Sequence, residues 1–332
     1  MTSLTPRIDK IDTNYIINGN FDNWQRGTSH TSNGFGSVDR HFIATSFGGV
    51  VTMSRNTDVP NANSLYSMDF AITTPSAISS TQYIATNYKF EGSLTRAING
   101  KNLSLGFWFK SSHTGKHSGF IFRGDNVRRY IFEFNYDVAD TWQYIKVDFN
   151  LDLLSFVLDV NTNFIFGFNM AVGSTYQRAA GTWANSNEFG VTGGLDLSNI
   201  SGAYIRLSQL QLVENTGQLL DGSSFSYAGG DVTKDLDLCK RYYEVVPLLS
   251  SFTYANSTAT QYWESRPWKV TKRTSPSIST VNFTMYSGGG SSGVFVPNVL
   301  SADTVSFSVG TSGQSTNLNG ILGGSIIGDA EL

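Results

Sequence analysis

The chain has 332 residues, of which 13% are aromatic and only 15% are charged, and it contains 33 glycines. This composition indicates an all-β protein whose length allows two domains. The net charge of −3 gives no reason to expect a nucleic-acid partner, the single cysteine excludes an internal disulfide, and no apolar run reaches the ~18 residues of a membrane helix, so we expect no membrane insertion.

Residues 1–13 are polar, contain Pro6, and lack the apolar stretch of a secretory signal. We therefore expect synthesis in the cytoplasm without a signal peptide. Two interpretations of this segment stay open, namely an arm that a neighbouring subunit orders and a frayed terminus.

The stretch 14–28, NYIINGNFDNWQRGT, opens the first domain. Residues 15–17 are a short, β-prone apolar run, and residues 18–20 are Asn and Gly, which accept positive φ in turns. Phe21 and Trp24 then place two large aromatic rings close together. This pattern predicts a strand folded over a core, with Trp24 in that core.

The rest of 14–222 reads as short strands separated by turns rich in Gly, Asn, Ser and Thr. Four runs alternate apolar and polar residues with a period of two: 102–110, 130–137, 142–149 and 164–171. In the first run, Trp108 falls on the face opposite Leu105 and Phe107. The strand over 205–213 changes phase, which predicts a β-bulge near Ser208 and Gln209. The pattern as a whole predicts an antiparallel sandwich.

Residues 223–246 differ in kind and predict a helical linker. Asp231 or Thr233 can cap a helix. Apolar residues then recur at spacings near three to four: Leu236, Leu238, Cys239, Tyr242 and Tyr243. We expect Cys239 to be a buried apolar residue and not a reactive thiol.

Residues 247–332 predict a second, smaller β domain, with strands over 277–286 and 304–309 and a flexible tip at 287–293. So little charge and so much Gly and Ser predict a thin core, and association with copies of itself would protect the strand edges of this domain.

Several motifs along the chain resemble those of tailed-phage virion proteins of the tail-fibre or receptor-binding type. They are the opening stretch at 14–28, NGKNL and FWFK within 99–110, DTWQ at 140–143, SQLQLVE at 208–214, DLCKRYY at 237–243 and DAEL at 329–332. The opening stretch also resembles the first strand of jelly-roll carbohydrate-binding modules. The resemblance covers roughly 14–245, with a weaker echo to the C-terminus.

The resemblance implies a jelly-roll β-sandwich over 14–222, followed by the short helix and the C-terminal β domain. It implies a virion location, a homo-oligomer that is a trimer, contacts with other tail or head proteins, and a glycan of the host surface as ligand. Two alternatives stay open: a purely structural tail or capsid component without ligand, and a polysaccharide depolymerase.

No catalytic motif is present, so we expect a protein that is not an enzyme. His113 and His117 are four residues apart, but the surrounding Gly and Ser predict an exposed loop. The available carboxylates form no recognisable pair.

Sugar binding needs aromatic faces with amides beside them. Trp108 is the first candidate, and Trp183 the second, as a wall of the same groove. Tyr176 and Asn185 lie in a polar loop region and complete the candidate set.

The resemblance also implies a calcium ligand at Asp22, because carbohydrate-binding jelly rolls often hold a structural calcium ion near the first strand. Ser208 and Gln209 stand where those modules usually carry an aspartate in the closing strand. We therefore expect no other cofactor and treat calcium as an open question.

Overall fold

A computed structural model describes residues 14–125, 127–153, 162–217, 220–247, 250–254, 261–287, 294–299, 301–310 and 318–331. The predicted arm at 1–13 and the tip at 288–293 lie outside the described residues. The chain forms two compact units, Met1–Asp235 and Leu236–Leu332. The division therefore falls inside the predicted helical linker.

The regular secondary structure described in the first unit is mostly β-strand. The strands are β1 (Ser29–His30), β2 (His41–Thr45), β3 (Val50–Asn56), β4 (Ser67–Thr74), β5 (Tyr83–Glu91), β6 (Asn102–Ser111), β7 (Gly115–Arg123), β8 (Arg128–Tyr136), β9 (Gln143–Asn150), β10 (Thr162–Val172), β11 (Gln177–Arg178), β12 (Trp183–Asn185), β13 (Gly190–Val191) and β14 (Tyr204–Glu214). A one-turn helix α1 (Gly92–Thr95) and a 3₁₀ helix (Ser174–Tyr176) interrupt them. The four runs predicted from alternation are confirmed as β6, β8, β9 and β10.

The strands form two six-stranded antiparallel sheets. Sheet 1 has the order β1-β3-β4-β14-β6-β9, and sheet 2 has the order β12-β8-β7-β10-β5-β2. A short parallel pair, β11 with β13, forms a separate two-stranded sheet. The predicted all-β sandwich is therefore confirmed.

One apolar core lies between the two sheets. Phe107 of sheet 1 meets Phe168 of sheet 2 with ring centroids 4.8 Å apart. Leu103, Leu105 and Phe109 are also buried there, because alternation points them to the same side as Phe107. Trp108 falls on the outer face, as the sequence predicts.

The opening stretch does not form the predicted strand. The turn predicted at 18–20 is confirmed: residues 17–20 form a turn, and Asn18 has φ 60°. The Asn14 side chain binds the closing strand β14: its Nδ2 donates to the carbonyl of Leu210 at 3.1 Å, and its Oδ1 accepts from the amide of Leu212 at 3.0 Å. A side chain thus makes contacts that a strand would make with its backbone. Trp24 packs against the core, as predicted.

The predicted bulge in β14 is confirmed. The register between β14 and β6 shifts between Ser208 and Gln211, and Gln209 has φ 52°. Gly19 packs there: a Cβ on it would lie 2.1 Å from the carbonyl oxygen of Leu210. The bulge explains why Leu207 and Leu210 both reach the core.

The remaining elements are α2 (Val232–Lys240), β15 (Tyr243–Pro247), β16 (Ser250–Tyr254), β17 (Gln261–Pro267), β18 (Ser277–Ser287), β19 (Val294–Val299), β20 (Thr304–Gly310) and β21 (Leu318–Asp329). Strands β15, β21 and β16 form a sheet in that order, with β18 also paired to β21, and β17, β20 and β19 form a second sheet. The predicted C-terminal strands are confirmed as β18 and β20.

Helix α2 is the predicted linker helix. The carboxylate of Asp231 accepts a hydrogen bond from the amide of Lys234 at 2.9 Å, so Asp231 is the cap. Cys239 is buried, as expected, whereas Leu236 and Leu238 are only half-buried. The second unit also buries a salt bridge that its charge-poor sequence does not suggest, between Lys272 and Glu244 at 2.5 Å.

Candidate functional site

Trp108 lies on the outer face of sheet 1, where β9 places Tyr144 opposite it and the two ring centroids are 5.5 Å apart. The chain that follows β14 packs onto both rings. A Cβ on Gly222 would lie 2.6 Å from the ring of Tyr144 and 3.0 Å from that of Trp108. Trp108 is therefore half-buried under the protein's own backbone and not the open platform that the sequence predicts.

Ion pairs cover the neighbouring part of this outer face. The carboxylate of Asp58 accepts from Lys110 at 2.7 Å, from Arg206 at 2.6 Å and from the indole of Trp142 at 3.0 Å. Burial alone would raise the pKa of Asp58, but these hydrogen bonds outweigh it and hold that pKa below its ordinary value. Arg206 also binds Asp69 at 2.5 Å. These charges are already paired with one another.

Trp183 lies on β12, the edge strand of sheet 2, opposite Tyr130, with ring centroids 5.5 Å apart. Its indole Nε1 donates to the carbonyl of Asn150 at 2.8 Å. Asn150 ends β9, six residues beyond Tyr144, the neighbour of Trp108. The structure therefore does not bring the two predicted tryptophans into one groove.

Asn185 is exposed at the end of β12, and its Oδ1 accepts a hydrogen bond from Arg128 at 3.4 Å. Tyr176, another predicted residue, lines a cavity. The 3₁₀ helix after β10 carries it across the outer face of sheet 2. Its role in binding stays a prediction.

This cavity, on the outer face of sheet 2, has a volume of about 340 Å³. Its lining residues are Ala44, Tyr83, Ala85, Asn87, Phe120, Phe122, Arg129, Tyr176, Asn187 and Phe189. Strand alternation explains the set, because Ile84 and Tyr88 of β5 point into the core while their neighbours on the same strand point outward.

Aromatic rings form most of the cavity wall. The ring of Phe189 lies 5.2 Å from that of Tyr83, 5.3 Å from that of Tyr176 and 5.4 Å from that of Phe120. Phe120 in turn stacks on Phe122 at 5.1 Å. Each ring is held by another, so the wall is preformed.

Three polar residues, Arg129, Asn87 and Asn187, complete the lining. The guanidinium of Arg129 lies 5.0 Å from the ring of Phe122 and 5.6 Å from that of Phe189, and its Nη1 donates to the carbonyl of Asn187 at 2.7 Å. Asn87 is only 7% exposed, and within the described part of the chain its Oδ1 accepts no hydrogen bond. A buried amide oxygen without a donor suits a ligand hydroxyl.

A glycine leaves room for the side chains of Asn87 and Phe120 in the cavity wall. Gly167 of β10 pairs with both Asn87 and Phe120. A Cβ on Gly167 would lie 2.5 Å from the ring of Phe120 and 2.8 Å from Oδ1 of Asn87. Any larger residue would therefore push both groups aside.

The sequence pattern does not indicate the cavity residues Phe120 and Phe122 of β7, because the segment around His113 and His117 is predicted to be an exposed loop. That prediction is wrong: β7 begins at Gly115, and His117 is buried with its ring 4.8 Å from that of Phe109. Burial lowers the pKa of His117 to about 4. The available signal was the run GFIFR at 119–123, whose consecutive apolar residues supply bulk to both faces of a strand.

Asp22, the predicted calcium ligand, sits in a hydrogen-bonded cluster. Its Oδ2 accepts from Asn20 Nδ2 at 3.1 Å and from the hydroxyl of Tyr227 at 2.9 Å. Burial raises the pKa of Asp22. No group of three or more His, Cys, Asp or Glu among the described residues could hold a metal. The calcium assignment stays a prediction.

No family model matches the chain, and no curated protein matches it in sequence. Within the described residues, no helix is long and apolar enough to cross a membrane.

Several solved structures show similarity at 11–14% identity. A tailspike protein 4 enzymatically active domain of bacteriophage CBA120 matches 61% of this chain with a TM-score of 0.33, and this chain spans 21% of that domain. The family 11 carbohydrate-binding module of a Clostridium thermocellum cellulosomal cellulase matches 56% of this chain and 94% of its own length, with a TM-score of 0.31. A putative sugar binding protein from Bacteroides thetaiotaomicron matches 61% of this chain and 100% of its own, with a TM-score of 0.33. TM-scores below 0.5 do not establish a shared fold, so the assignment of a sandwich rests on the strand pairing of this chain.

Proposed function

We propose that the chain is a non-enzymatic structural protein of a tailed-phage virion, a tail fibre or similar appendage, that binds host-surface glycans in the cavity of sheet 2. The observation that carries the binding role is the preformed aromatic wall beside Asn87 and Arg129. The motifs that resemble tail-fibre proteins support the virion location.

The cavity chemistry suits a sugar. The C–H face of a pyranose packs on aromatic rings, and its hydroxyls need donors and acceptors. Tyr83 and Tyr176 supply rings, and Asn87 supplies an acceptor that the described part of the chain leaves unused. The volume of about 340 Å³ is at the lower end for ligand pockets, which suits a short stretch of glycan.

We propose a trimer whose copies act together. A single small, mostly neutral site binds weakly, about millimolar, which corresponds to roughly 4 kcal/mol. Several copies on a trimer and on a virion raise the avidity by orders of magnitude without new contacts. Other tail or head proteins would fix the trimer to the particle.

The test is a panel of purified bacterial surface polysaccharides probed with three proteins. We expect the wild type to bind at least one polysaccharide and Tyr176→Ala to bind it roughly tenfold more weakly, because a stacking ring is lost. Tyr66→Ala is the matched control, since Tyr66 lies outside the cavity and contacts Arg55. Absence of wild-type binding to every polysaccharide, or equal binding by all three proteins, contradicts the proposal.

A further inference from the structure

The cavity carries charge of one sign. Of its ten lining residues, all within the described part of the chain, only Arg129 is ionised. Glu188, which stands between the lining residues Asn187 and Phe189, acts electrostatically on Arg129 and on a second arginine, Arg178. The charge carried by the lining residues themselves is therefore positive.

The position of Arg129 is fixed by its surroundings. Its guanidinium packs against the rings of Phe122 and Phe189, and one of its nitrogens is held by the carbonyl of Asn187. Burial lowers the pKa of Arg129, yet an arginine remains protonated at neutral pH. A partly desolvated cation beside an open cavity attracts an anion more strongly than one in bulk water.

The neighbouring arginine shows that this placement is specific. Arg128 precedes Arg129 on β8, so alternation sends its side chain to the other face. There it forms an ion pair with Asp152 and lies 5.7 Å from the ring of Trp183. Arg128 is thus directed to Asp152 and Trp183, away from the cavity that Arg129 lines.

We propose that the cavity takes a sugar unit bearing an anionic substituent, with Arg129 as its ion-pair partner and Asn87 Oδ1 as the acceptor for one of its hydroxyls. This inference rests on the proposed function and names the class of glycan. The shared chemistry is an anionic oxygen, whether from a carboxylate or from a phosphate ester, and the guanidinium plane can bind either in a bidentate manner.

The experiment uses the full-length protein and an oligosaccharide array with neutral, carboxylate-bearing and phosphate-bearing members. We expect the wild-type hits to be anionic. Chemical reduction of the carboxyl groups, or enzymatic removal of the phosphate, then distinguishes the two sources, and should weaken binding by roughly ten- to a hundredfold, since a charge-assisted hydrogen bond is lost. Hits that are all neutral overturn the inference but leave the proposed function standing, whereas no hits at all overturn both.

Three variants assign the effect to a residue. Arg129→Gln should bind the anionic ligand roughly ten- to a hundredfold more weakly than the wild type and should bind the neutralised ligand as tightly as the wild type does. Arg128→Gln is the matched control and should bind both ligands like the wild type. Arg129→Lys should restore part of the affinity, because it keeps the charge without the planar fork. Equal weakening of anionic and neutral ligands by Arg129→Gln would mean that Arg129 only supports the aromatic wall, and would overturn the inference.

Discussion

The two sheets enclose one core, but the aromatic residues on their outer faces have different surroundings. On sheet 1, Trp108 and Tyr144 are packed beneath the chain around Gly222, and charges beside them are paired. On sheet 2, Phe120 and Tyr176 line a cavity. An outward-facing aromatic residue therefore does not identify a binding surface, because another segment of the chain decides whether it stays open.

A glycine marks the contrast on each face. On sheet 1, a Cβ on Gly106 would lie 2.5 Å from a methyl carbon of Leu220, so the chain itself fills the gap. On sheet 2, the space beside Gly167 is bordered by Asn87 and Phe120 of the cavity. An outward-facing glycine thus allows close packing of the chain on sheet 1 and borders the cavity on sheet 2.

The largest expected effect on stability belongs to Trp108. Trp108→Ala should lower the free energy of unfolding by about 2–3 kcal/mol, because it removes a half-buried ring on which Gly222 packs. Binding to the glycan identified for the wild type should not change. Chemical denaturation and a binding titration check the two parts, and a stable variant with lost binding would reverse the assignment of the faces.

The next effect belongs to Arg206, which links two carboxylates on the same face. Arg206→Met should lower the free energy of unfolding by about 1–2 kcal/mol, since Asp58 and Asp69 then face each other without their shared cation. Thermal unfolding at low and high salt measures this effect. Arg129→Gln on sheet 2 is the counterpart, which should change binding more than stability. If both arginine variants altered stability alone, the two faces would not differ as described.

The smallest effect is a pH dependence that should separate stability from binding. Asp235 is buried and accepts from the amide of Asn18 at 3.0 Å, and burial raises its pKa to about 7. The folded state therefore holds a proton between the ordinary carboxyl pKa and about 7 that the unfolded state has released. Stability from this group falls as the pH rises through that window, by on the order of 1–2 kcal/mol from pH 5 to pH 8.

Asp235→Asn isolates this effect, because it cannot ionise. His117 acts in the opposite direction in both proteins: its pKa is lowered to about 4, so it costs stability as the pH falls below the ordinary histidine value. The free energy of unfolding of the wild type, relative to that of Asp235→Asn, should thus decrease from pH 5 to pH 8. Binding of a neutral or carboxylate-bearing glycan should stay level over this range, since no lining residue of the cavity is a carboxylate or histidine. A constant difference would show that Asp235 ionises normally.

The sequence predicted the sandwich well because period two is a local property. The strands around Leu105 and Phe168 and the bulge at Gln209 follow from alternation and its interruption. The predicted opening strand does not form, because only isolated backbone bonds, from Tyr15 to Leu212 and from Leu210 to Gly19, join this stretch to β14, and the side chain of Asn14 supplements them in a way that residue type does not show.

The candidate site was less predictable, because it depends on which segment covers which face. The sequence indicates Tyr176 but not Phe120 or Arg129, since the segment around His117 is predicted to be a loop and the two arginines at 128–129 look alike in sequence. Trp108 was placed on the correct face, but nothing local indicates that the chain near Gly222 returns to cover it.

The central claim is that the outer face of sheet 2, and not that of sheet 1, binds glycan. The most direct measurement is adsorption of the assembled protein to cells that bind the wild type, with Tyr176→Ala compared with Trp108→Phe, which keeps an aromatic ring in the packed position. We predict that Tyr176→Ala loses most of its adsorption and that Trp108→Phe adsorbs like the wild type. Loss of adsorption in Trp108→Phe with full adsorption of Tyr176→Ala would contradict the claim.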